Sequence, residues 1–119
     1  MNATEAAASP NQPKPWAEGP TVVAGYDDGT INSAHEALDR HLAEGHGGQV
    51  ALRWLGREGD VSDLSYAELS EQASRFANVL AAHGLGRGDS LFALLGRQPE
   101  LYAGAFGALQ AGLIFTPLF

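Results

Sequence analysis

The sequence has 119 residues, no cysteine and a formal net charge of −7 at pH 7. This length suits one small domain or a part of a larger one, and a hydrophobic content of 45% is enough to build a core. Binding to nucleic acid is disfavoured, because the 7 basic residues are scattered and affinity for phosphate backbones comes mainly from clustered Lys and Arg. The lack of cysteine excludes a disulfide, a thiolate nucleophile and a zinc–thiolate site.

The amino-terminal residues MNATEAAAS lack the basic and apolar segments of a secretory signal. No stretch reaches the roughly 18 uninterrupted apolar residues of a membrane span. Even the most apolar region, residues 101–115, is diluted by glycine, alanine and Gln110. We therefore expect a cytoplasmic protein with no membrane partner.

Residues 1–30 are rich in Ala, Pro, Asn and Gly and show little hydrophobic periodicity. Such a segment cannot bury enough apolar surface to offset the entropy of ordering the chain, so we expect a flexible, disordered tail. Trp16 and the triplet at 21–23 are expected to pack loosely on the surface of the domain. The folded part is expected to be residues 31–119.

The first predicted helix begins near Asn32, where Ser33 and Glu36 form the S-x-x-E pattern of a capping box. Its apolar face would be formed by residues at helical spacing, and Gly45 would end it. These residues are Ala34, Ala37, Leu38, His41 and Leu42. Beyond the following glycines, residues 50–55 alternate as in a strand, and a turn through 56–60 leads to a second short strand at 61–64, which predicts a hairpin.

The second predicted helix has clear signals at both ends. Ser65 and Glu68 form a capping box, and the flanking leucines at 64 and 69 occupy the two positions of a hydrophobic staple. At the other end, Gly84 can adopt the left-handed conformation that closes a helix. Leu85 can then fold back onto Leu80, as in a Schellman motif.

Residues 91–95 are apolar throughout, which predicts a strand covered on both faces of a parallel sheet. A third helix should follow, since Pro99 suits the first helical position and Gly112 suits a helix end. A last apolar strand spans residues 113–118. The order of these elements predicts an α/β fold.

The third helix carries small residues at offsets of three, four and seven: Gly104, Gly107, Ala108 and Ala111. A glycine inside a helix costs about 0.8–1 kcal/mol relative to alanine, so close packing must offset that cost. We expect this stripe to allow the backbone of the helix to approach the sheet.

The glycine-rich segment 84–89 is a poor candidate for a phosphate site, because phosphate loops follow a strand and open a helix. Here the predicted order is helix and then strand, so the glycines are interpreted as a cap and a turn. The tripeptide at 87–89 looks like an adhesion motif, but nothing indicates an extracellular protein.

No catalytic, cofactor-binding or metal-binding residue is assigned. The histidines contain no pair at i, i+4, and no carboxylate completes a recognisable ligand set around them. The acids at 27 and 28, and at 60 and 63, are interpreted as solvated surface charge. Ser65 is occupied as a cap, and no Gly-x-Ser-x-Gly motif occurs. The histidines are His35, His41, His46 and His83.

Arg97 is the most informative polar residue. It lies in the segment Gly96-Arg97-Gln98, directly after a predicted parallel strand, and ligands usually bind at that edge of an open α/β sheet. Arg97 could contact an anion there. Because the sequence reveals only one such strand end, we favour the interpretation of Arg97 as a solvent-facing loop residue over an anion-binding role.

The segment 64–69, LSYAEL, resembles the first core motif of the AMP-forming adenylate-forming superfamily, which includes acyl-CoA synthetases, peptide-synthetase adenylation domains and luciferases. The segment 109–118, LQAGLIFTPL, resembles the second motif. Between them, FANVL at 76–80, GL at 84–85, GD at 88–89 and PE at 99–100 follow in the order of the superfamily. Upstream, AHEALDRH at 34–41 and VALRW at 50–54 resemble the short-chain branch, acetate-CoA ligases above all, and Phe119 does so too.

The resemblance covers residues 31–119 and implies an incomplete, N-terminal portion of the large α/β domain of such an enzyme. It implies that a full-length ligase would use ATP and Mg²⁺ to convert acetate or another short-chain acid to an acyl-adenylate, releasing pyrophosphate, and would pass the acyl group to coenzyme A. The superfamily's phosphate loop, adenine-stacking aromatic residue, ribose-binding aspartate, hinge and catalytic lysine all lie beyond the point where this sequence ends. The only lysine here is Lys14. We therefore expect no activity from this portion alone, and a need for the rest of the ligase to complete the fold.

Two alternatives stay open at this point. The chain could belong to an adenylation domain for another carboxylic or amino acid, because the substrate pocket is absent from it. It could also be a small, non-catalytic α/β interaction module.

Overall fold

The computed structural model describes residues 25, 26 and 28–118. Most of the tail expected at residues 1–30 lies outside the described residues, as do Trp16, the triplet at 21–23 and Asp27. The boundary at residue 30 stays a prediction. The described part of this segment forms a turn that contacts the first helix, in which the Gly25 N–H donates to Oε1 of Glu36 at 2.8 Å and the Tyr26 N–H donates to the carbonyl of Thr30 at 2.8 Å.

The elements follow in the expected order of helix, two strands, helix, strand, helix and strand. Helix α1 spans residues 33–43 and contains a π-helical segment, His35–Asp39, that continues into Arg40–Ala43. The other helices are α2, Tyr66–Ala82, and α3, Pro99–Gln110. The strands are β1, Val50–Leu55; β2, Val61–Ser65; β3, Ser90–Leu94; and β4, Ile114–Leu118.

The start of α1 differs from the expectation. The capping oxygen comes from Asn32 and not from Ser33: Oδ1 of Asn32 accepts hydrogen bonds from the N–H groups of Ala34 and His35 at 3.0 and 3.3 Å. Glu36, which was expected to complete the box, instead binds Gly25 and Arg40. Asn and Ser are both good capping residues, so the S-x-x-E pattern does not by itself decide which of the two neighbouring residues caps the helix.

Both ends of α2 are as predicted. Oγ of Ser65 accepts from the N–H of Glu68 at 3.2 Å, and the Glu68 carboxylate accepts from the N–H of Ser65 at 2.9 Å. Gly84 has a φ of 77°, and the N–H of Leu85 donates to the carbonyl of Leu80 at 3.0 Å. This is the 6→1 hydrogen bond of a Schellman motif.

The predicted hairpin is confirmed. β1 and β2 pair antiparallel, with Leu52 opposite Leu64 and a bulge between Val50 and Leu52. The N–H of Tyr66 donates to the carbonyl of Gln49 at 3.0 Å, which ties the start of α2 to the start of the hairpin.

The predicted parallel pairing is also confirmed, since β3 and β4 form a two-stranded parallel sheet connected through α3. The expectation that both faces of β3 are covered is wrong within the described residues. One face contacts the helices through Leu91 and Phe115. The other face carries large exposed apolar side chains: Phe92 is 64% exposed, Leu94 75%, Ile114 57% and Leu118 43%. The wholly apolar sequence at 91–95 therefore predicted the parallel pairing of the strand correctly, but it did not predict how many of its faces are covered.

Two apolar clusters form the core. The first joins α1, the hairpin, α2 and α3 around Leu38, Leu69, Ala73 and Ala103. The second joins α2, α3 and the parallel sheet around Leu80, Ala108 and Leu113. Helices α2 and α3 contribute to both clusters, so together they connect the hairpin to the parallel sheet.

The two glycines of the small-residue stripe on α3 face α2, not the sheet as expected. Ala108 and Ala111 of the same stripe belong to the second cluster, which includes Leu91 and Phe115 of the parallel sheet. A Cβ added to Gly107 would lie 2.5 Å from the carbonyl oxygen of Ala73 and 3.1 Å from Cβ of Phe76. A Cβ on Gly104 would lie 3.7 Å from Cε1 of Phe76, an ordinary contact. The close approach is therefore between two helix backbones and depends on Gly107.

Candidate functional site

The carboxyl ends of the parallel strands lie at one edge of the sheet, because Leu94 pairs with Leu118. The segment Gly96-Arg97-Gln98 follows β3 directly at this edge. Its backbone is anchored to the hairpin: Nε1 of Trp54 donates to the carbonyl of Arg97 at 2.6 Å. The Arg97 side chain is exposed. The structure thus places Arg97 where the sequence predicted it, and Trp54, which sequence reasoning did not single out, positions its loop.

The loop between β3 and α3 follows a strand and precedes a helix, which is the order found around a phosphate-binding loop. Its residues do not fit a nucleotide phosphate. Pro99 at the first helical position removes an N–H donor, and the acidic Glu100 follows in the first turn. The loop contains a single glycine and neither Ser nor Thr. No step of nucleotide chemistry is therefore derived from these residues.

The segment 84–89 forms a turn between α2 and β3, as predicted. Oδ2 of Asp89 accepts from the N–H of Gly86 at 2.8 Å, and the N–H of Gly88 donates to the carbonyl of Gly112 at 3.0 Å. Backbone groups that would be needed to cradle a phosphate are thus used within the fold.

One acid of each pair considered from the sequence has a structural partner, Asp28 in the first pair and Asp63 in the second. Oδ1 of Asp28 accepts from Oγ1 and from the N–H of Thr30, and these hydrogen bonds lower the pKa of Asp28. Asp63 lies on β2 and forms a two-point pair with Arg53 across the hairpin, with both distances at 2.7 Å. These hydrogen bonds lower the pKa of Asp63 and raise that of Arg53. Both carboxylates are charged surface groups.

The histidines are distributed over three places. His83 is exposed at the carboxyl end of α2, and His35 lies 3.5 Å from Asp39 on α1. His41 and His46, however, lie together at the end of α1 with Glu44 between them, and one ligand atom from each lies within 4.8 Å of the others. Glu44 therefore lies beside two of the histidines, a proximity that was not predicted from the sequence, and the assignment of no metal ligand stays a prediction. The signal was the spacing i, i+3, i+5 around Gly45, where the chain folds back after the helix.

An apolar groove of about 610 Å³ lies between α2, α3 and β3. Its walls are largely apolar. They are formed by Gln72, Arg75, Phe76, Val79, Leu91, Phe92, Ala93, Leu94, Leu95, Glu100, Leu101, Ala103, Gly104 and Phe115. Together with the open face of the sheet, this groove leaves apolar surface exposed on the side of β3.

The profile of the family described as "AMP-binding enzyme" matches residues 39–119, which is more than half of the chain. The chain belongs to the AMP-binding enzyme family. Among curated relatives of this family member, the acetyl-coenzyme A synthetase of Streptomyces avermitilis is 31% identical over 113 residues, covering 95% of the chain and 17% of the relative. That of Syntrophobacter fumaroxidans is 38% identical over 103 residues, covering 86% of the chain and 16% of the relative.

Solved structures agree with this assignment. The structure of Brucella canis acyl-CoA synthetase is 36% identical, with a TM-score of 0.77 over 87% of this chain and 18% of that one. A fatty acid AMP ligase from Legionella pneumophila, 22% identical, shares the fold with a TM-score of 0.66. The described α/β arrangement is thus a part of the adenylate-forming enzyme fold. The chain spans about a sixth of the length of the curated relatives above.

Within residues 25, 26 and 28–118, no helix combines the length and apolar character needed to cross a membrane.

Proposed function

We propose that this AMP-binding family member is the N-terminal part of the large domain of an AMP-forming acetate-CoA ligase, or of a close short-chain relative. The complete enzyme would convert acetate, ATP and coenzyme A to acetyl-CoA, AMP and pyrophosphate through an acyl-adenylate. The observation that carries the proposal is the alignment with acetyl-coenzyme A synthetases over 95% of the chain in one case and 86% in another.

The role of residues 31–119 in that enzyme is structural. Helices α2 and α3 connect both apolar clusters, so together they set the position of the parallel sheet relative to the hairpin. The open face of β3 and β4 and the neighbouring groove expose apolar side chains that parallel sheets normally cover. In this proposal, the remaining part of the ligase supplies that cover, and the complete protein works in the cytoplasm.

The chemistry belongs to residues outside this chain. The segment 84–89 follows a helix, and the β3–α3 passage disfavours an anion through Pro99 and Glu100, so neither supports a phosphate loop. We therefore assign no catalytic or nucleotide-binding residue to the chain. ATP, Mg²⁺ and coenzyme A are cofactors of the complete enzyme only.

The experiment has two arms, which measure acetate-dependent exchange of pyrophosphate into ATP. The purified chain alone should show none. A chimera in which this chain replaces the aligned segment of the Streptomyces avermitilis acetyl-coenzyme A synthetase should retain it, because the fold of the segment is the same.

The matched control is the same chimera with Gly107→Val, which should lose the exchange because α3 can no longer approach α2. Exchange by the chain alone would contradict the assignment of the chemistry to the rest of the enzyme. A chimera that folds but is inactive would contradict the proposed scaffold role and favour a separate, non-catalytic module.

A further inference from the structure

We propose that His41, Glu44 and His46 form a binding site for a divalent transition-metal ion of the zinc type, at the carboxyl end of α1. Oε2 of Glu44 lies 4.0 Å from Nδ1 of His41 and 3.7 Å from Nδ1 of His46. Two imidazoles and one carboxylate are a ligand set that zinc accepts, with a fourth position left to water. The sequence by itself indicated no metal site.

The backbone at the end of α1 brings the two imidazoles together. Gly45 has a φ of 85°, the N–H of Gly45 donates to the carbonyl of Leu42 at 3.0 Å, and the N–H of His46 donates to the carbonyl of His41 at 2.8 Å. These are the two hydrogen bonds of a Schellman motif, which places the side chain after the glycine against the side chain five residues earlier.

The other helices end with the same motif but with apolar pairs. Leu85 folds back onto Leu80 at the end of α2, and Leu113 onto Ala108 at the end of α3, and both pairs belong to the second cluster. At the end of α1 the corresponding pair is His41 and His46, whose ring centroids lie 6.2 Å apart. The position that normally makes a small apolar contact here holds two metal-ligating groups.

The backbone that carries His46 is held on both sides. The N–H of Gln49 donates to the carbonyl of His46 at 2.9 Å, and the N–H of Ala67 donates to the carbonyl of Gly47 at 3.0 Å. On the other side, the ring of His41 lies 4.6 Å from the ring of Tyr66, the first residue of α2. The ligands are therefore positioned by the fold and not by a loose loop.

The side chains retain the freedom needed to close on an ion. The side chain of His41 is 29% exposed, that of His46 44% and that of Glu44 46%. Metal–ligand bonds of about 2.0–2.2 Å require the ligand atoms to lie about 3.3–3.6 Å apart in a tetrahedron. The observed separations all lie within 4.8 Å, so the ligand atoms must move closer by rotation of these partly exposed side chains to bind an ion.

The surroundings favour a cation in one respect and oppose it in another. The carboxyl end of a helix attracts positive charge. Nε of Arg40 lies 3.4 Å from Oε1 of Glu44. This arginine repels an ion, but it also turns the opposite oxygen, Oε2, toward the imidazoles, as outer groups at metal sites do. Arg40 is paired with Glu36 as well, at 3.3 Å, which reduces its effect on the site.

The test uses the chain without any histidine tag, stripped of metal and titrated with Zn²⁺ in competition with a chromophoric chelator. We expect one Zn²⁺ per chain and no comparable binding of Mg²⁺, because nitrogen ligands suit zinc and not magnesium. His41→Gln, Glu44→Gln and His46→Gln should each weaken binding by roughly tenfold or more. His83→Gln is the matched control, because His83 also lies at a helix end but in no ligand cluster, and it should bind Zn²⁺ as the parent does.

A second measurement needs no variant. In NMR spectra of the imidazole nitrogens, one equivalent of Zn²⁺ should shift the signals of His41 and His46 and leave those of His35 and His83 in place. Equal shifts at all the histidines, equal loss in His83→Gln, or no one-to-one complex would overturn the proposal. Because none of these readouts depends on ligase activity, failure of the metal site leaves the proposed function untouched.

Discussion

At the residue scale, single polar groups determine where the helices begin. Asn32 illustrates this best, because it serves two elements. Its Oδ1 caps α1, and its Nδ2 donates to the carbonyl of Leu109 near the end of α3 at 3.0 Å. The cap thereby joins the start of one helix to the end of another. Ser65 and Glu68 also cap a helix, but their capping hydrogen bonds join residues at the start of α2 only.

Ser65→Ala removes one side-chain oxygen from the cap of α2. We expect the free energy of unfolding to fall by about 0.5–2 kcal/mol, because the N–H of Glu68 loses its acceptor. Urea denaturation followed by circular dichroism measures the change. A variant as stable as the parent would show that solvent replaces the cap without cost.

The same cap makes part of the stability pH-dependent. Hydrogen bonds from the N–H and the hydroxyl of Ser65 lower the pKa of Glu68 from its ordinary 4.5. This stabilisation is complete above pH 4.5 and is lost as the pH falls through the lowered pKa of the folded state. Glu68→Gln, which keeps an oxygen acceptor but does not titrate, should remove this part of the acid dependence in unfolding curves between pH 2 and 6.

At the scale of elements, the contact between α2 and α3 depends on one glycine. A Cβ added at Gly107 would face the carbonyl oxygen of Ala73, and a backbone atom cannot move aside as a side chain can. Gly104, one turn earlier on the same helix, faces only the edge of the Phe76 ring. Two glycines of the same stripe thus have different roles.

Gly107→Val should lower the free energy of unfolding by at least about 1–3 kcal/mol through overpacking. Gly104→Ala is the matched control, and it should leave stability unchanged or raise it by up to about 1 kcal/mol, because alanine favours helix and the added Cβ fits. Urea denaturation of both variants measures these changes as shifts of the unfolding midpoint. Equal midpoints for Gly107→Val and the parent would refute the close packing of α2 on α3.

At the scale of the whole molecule, the parallel sheet has helices on one face and exposed apolar side chains on the other. A two-stranded sheet of this kind is not expected to be stable alone, and exposed apolar strands promote association. The open face therefore predicts that the chain by itself associates with copies of itself.

The double variant Phe92→Ser and Leu94→Ser should reduce this association, with stability changed by no more than about 0.5 kcal/mol because both side chains are exposed. Sedimentation velocity over a range of concentrations measures association. Leu91→Ser is the control on the opposite face, and it should lower stability because Leu91 packs against the second cluster. A parent chain that stays a compact monomer at high concentration would contradict this prediction and favour an independent module.

By itself, the sequence determined the features that depend on residues a few positions apart. The capping box of α2, the glycine ends of the helices, the hairpin and the strand–helix–strand order are local, because each rests on hydrogen bonds or periodicity within one element or turn. The family, too, could be read from ordered motifs. Only the tertiary structure decided which helix Gly107 meets, that one face of β3 is open, and that Trp54 holds the loop of Arg97, 43 residues away. The tertiary structure also placed Glu44 close to both His41 and His46. Gly45 adopts a left-handed conformation that turns the chain back on the helix, so these side chains meet although their spacing is not that of one helix face.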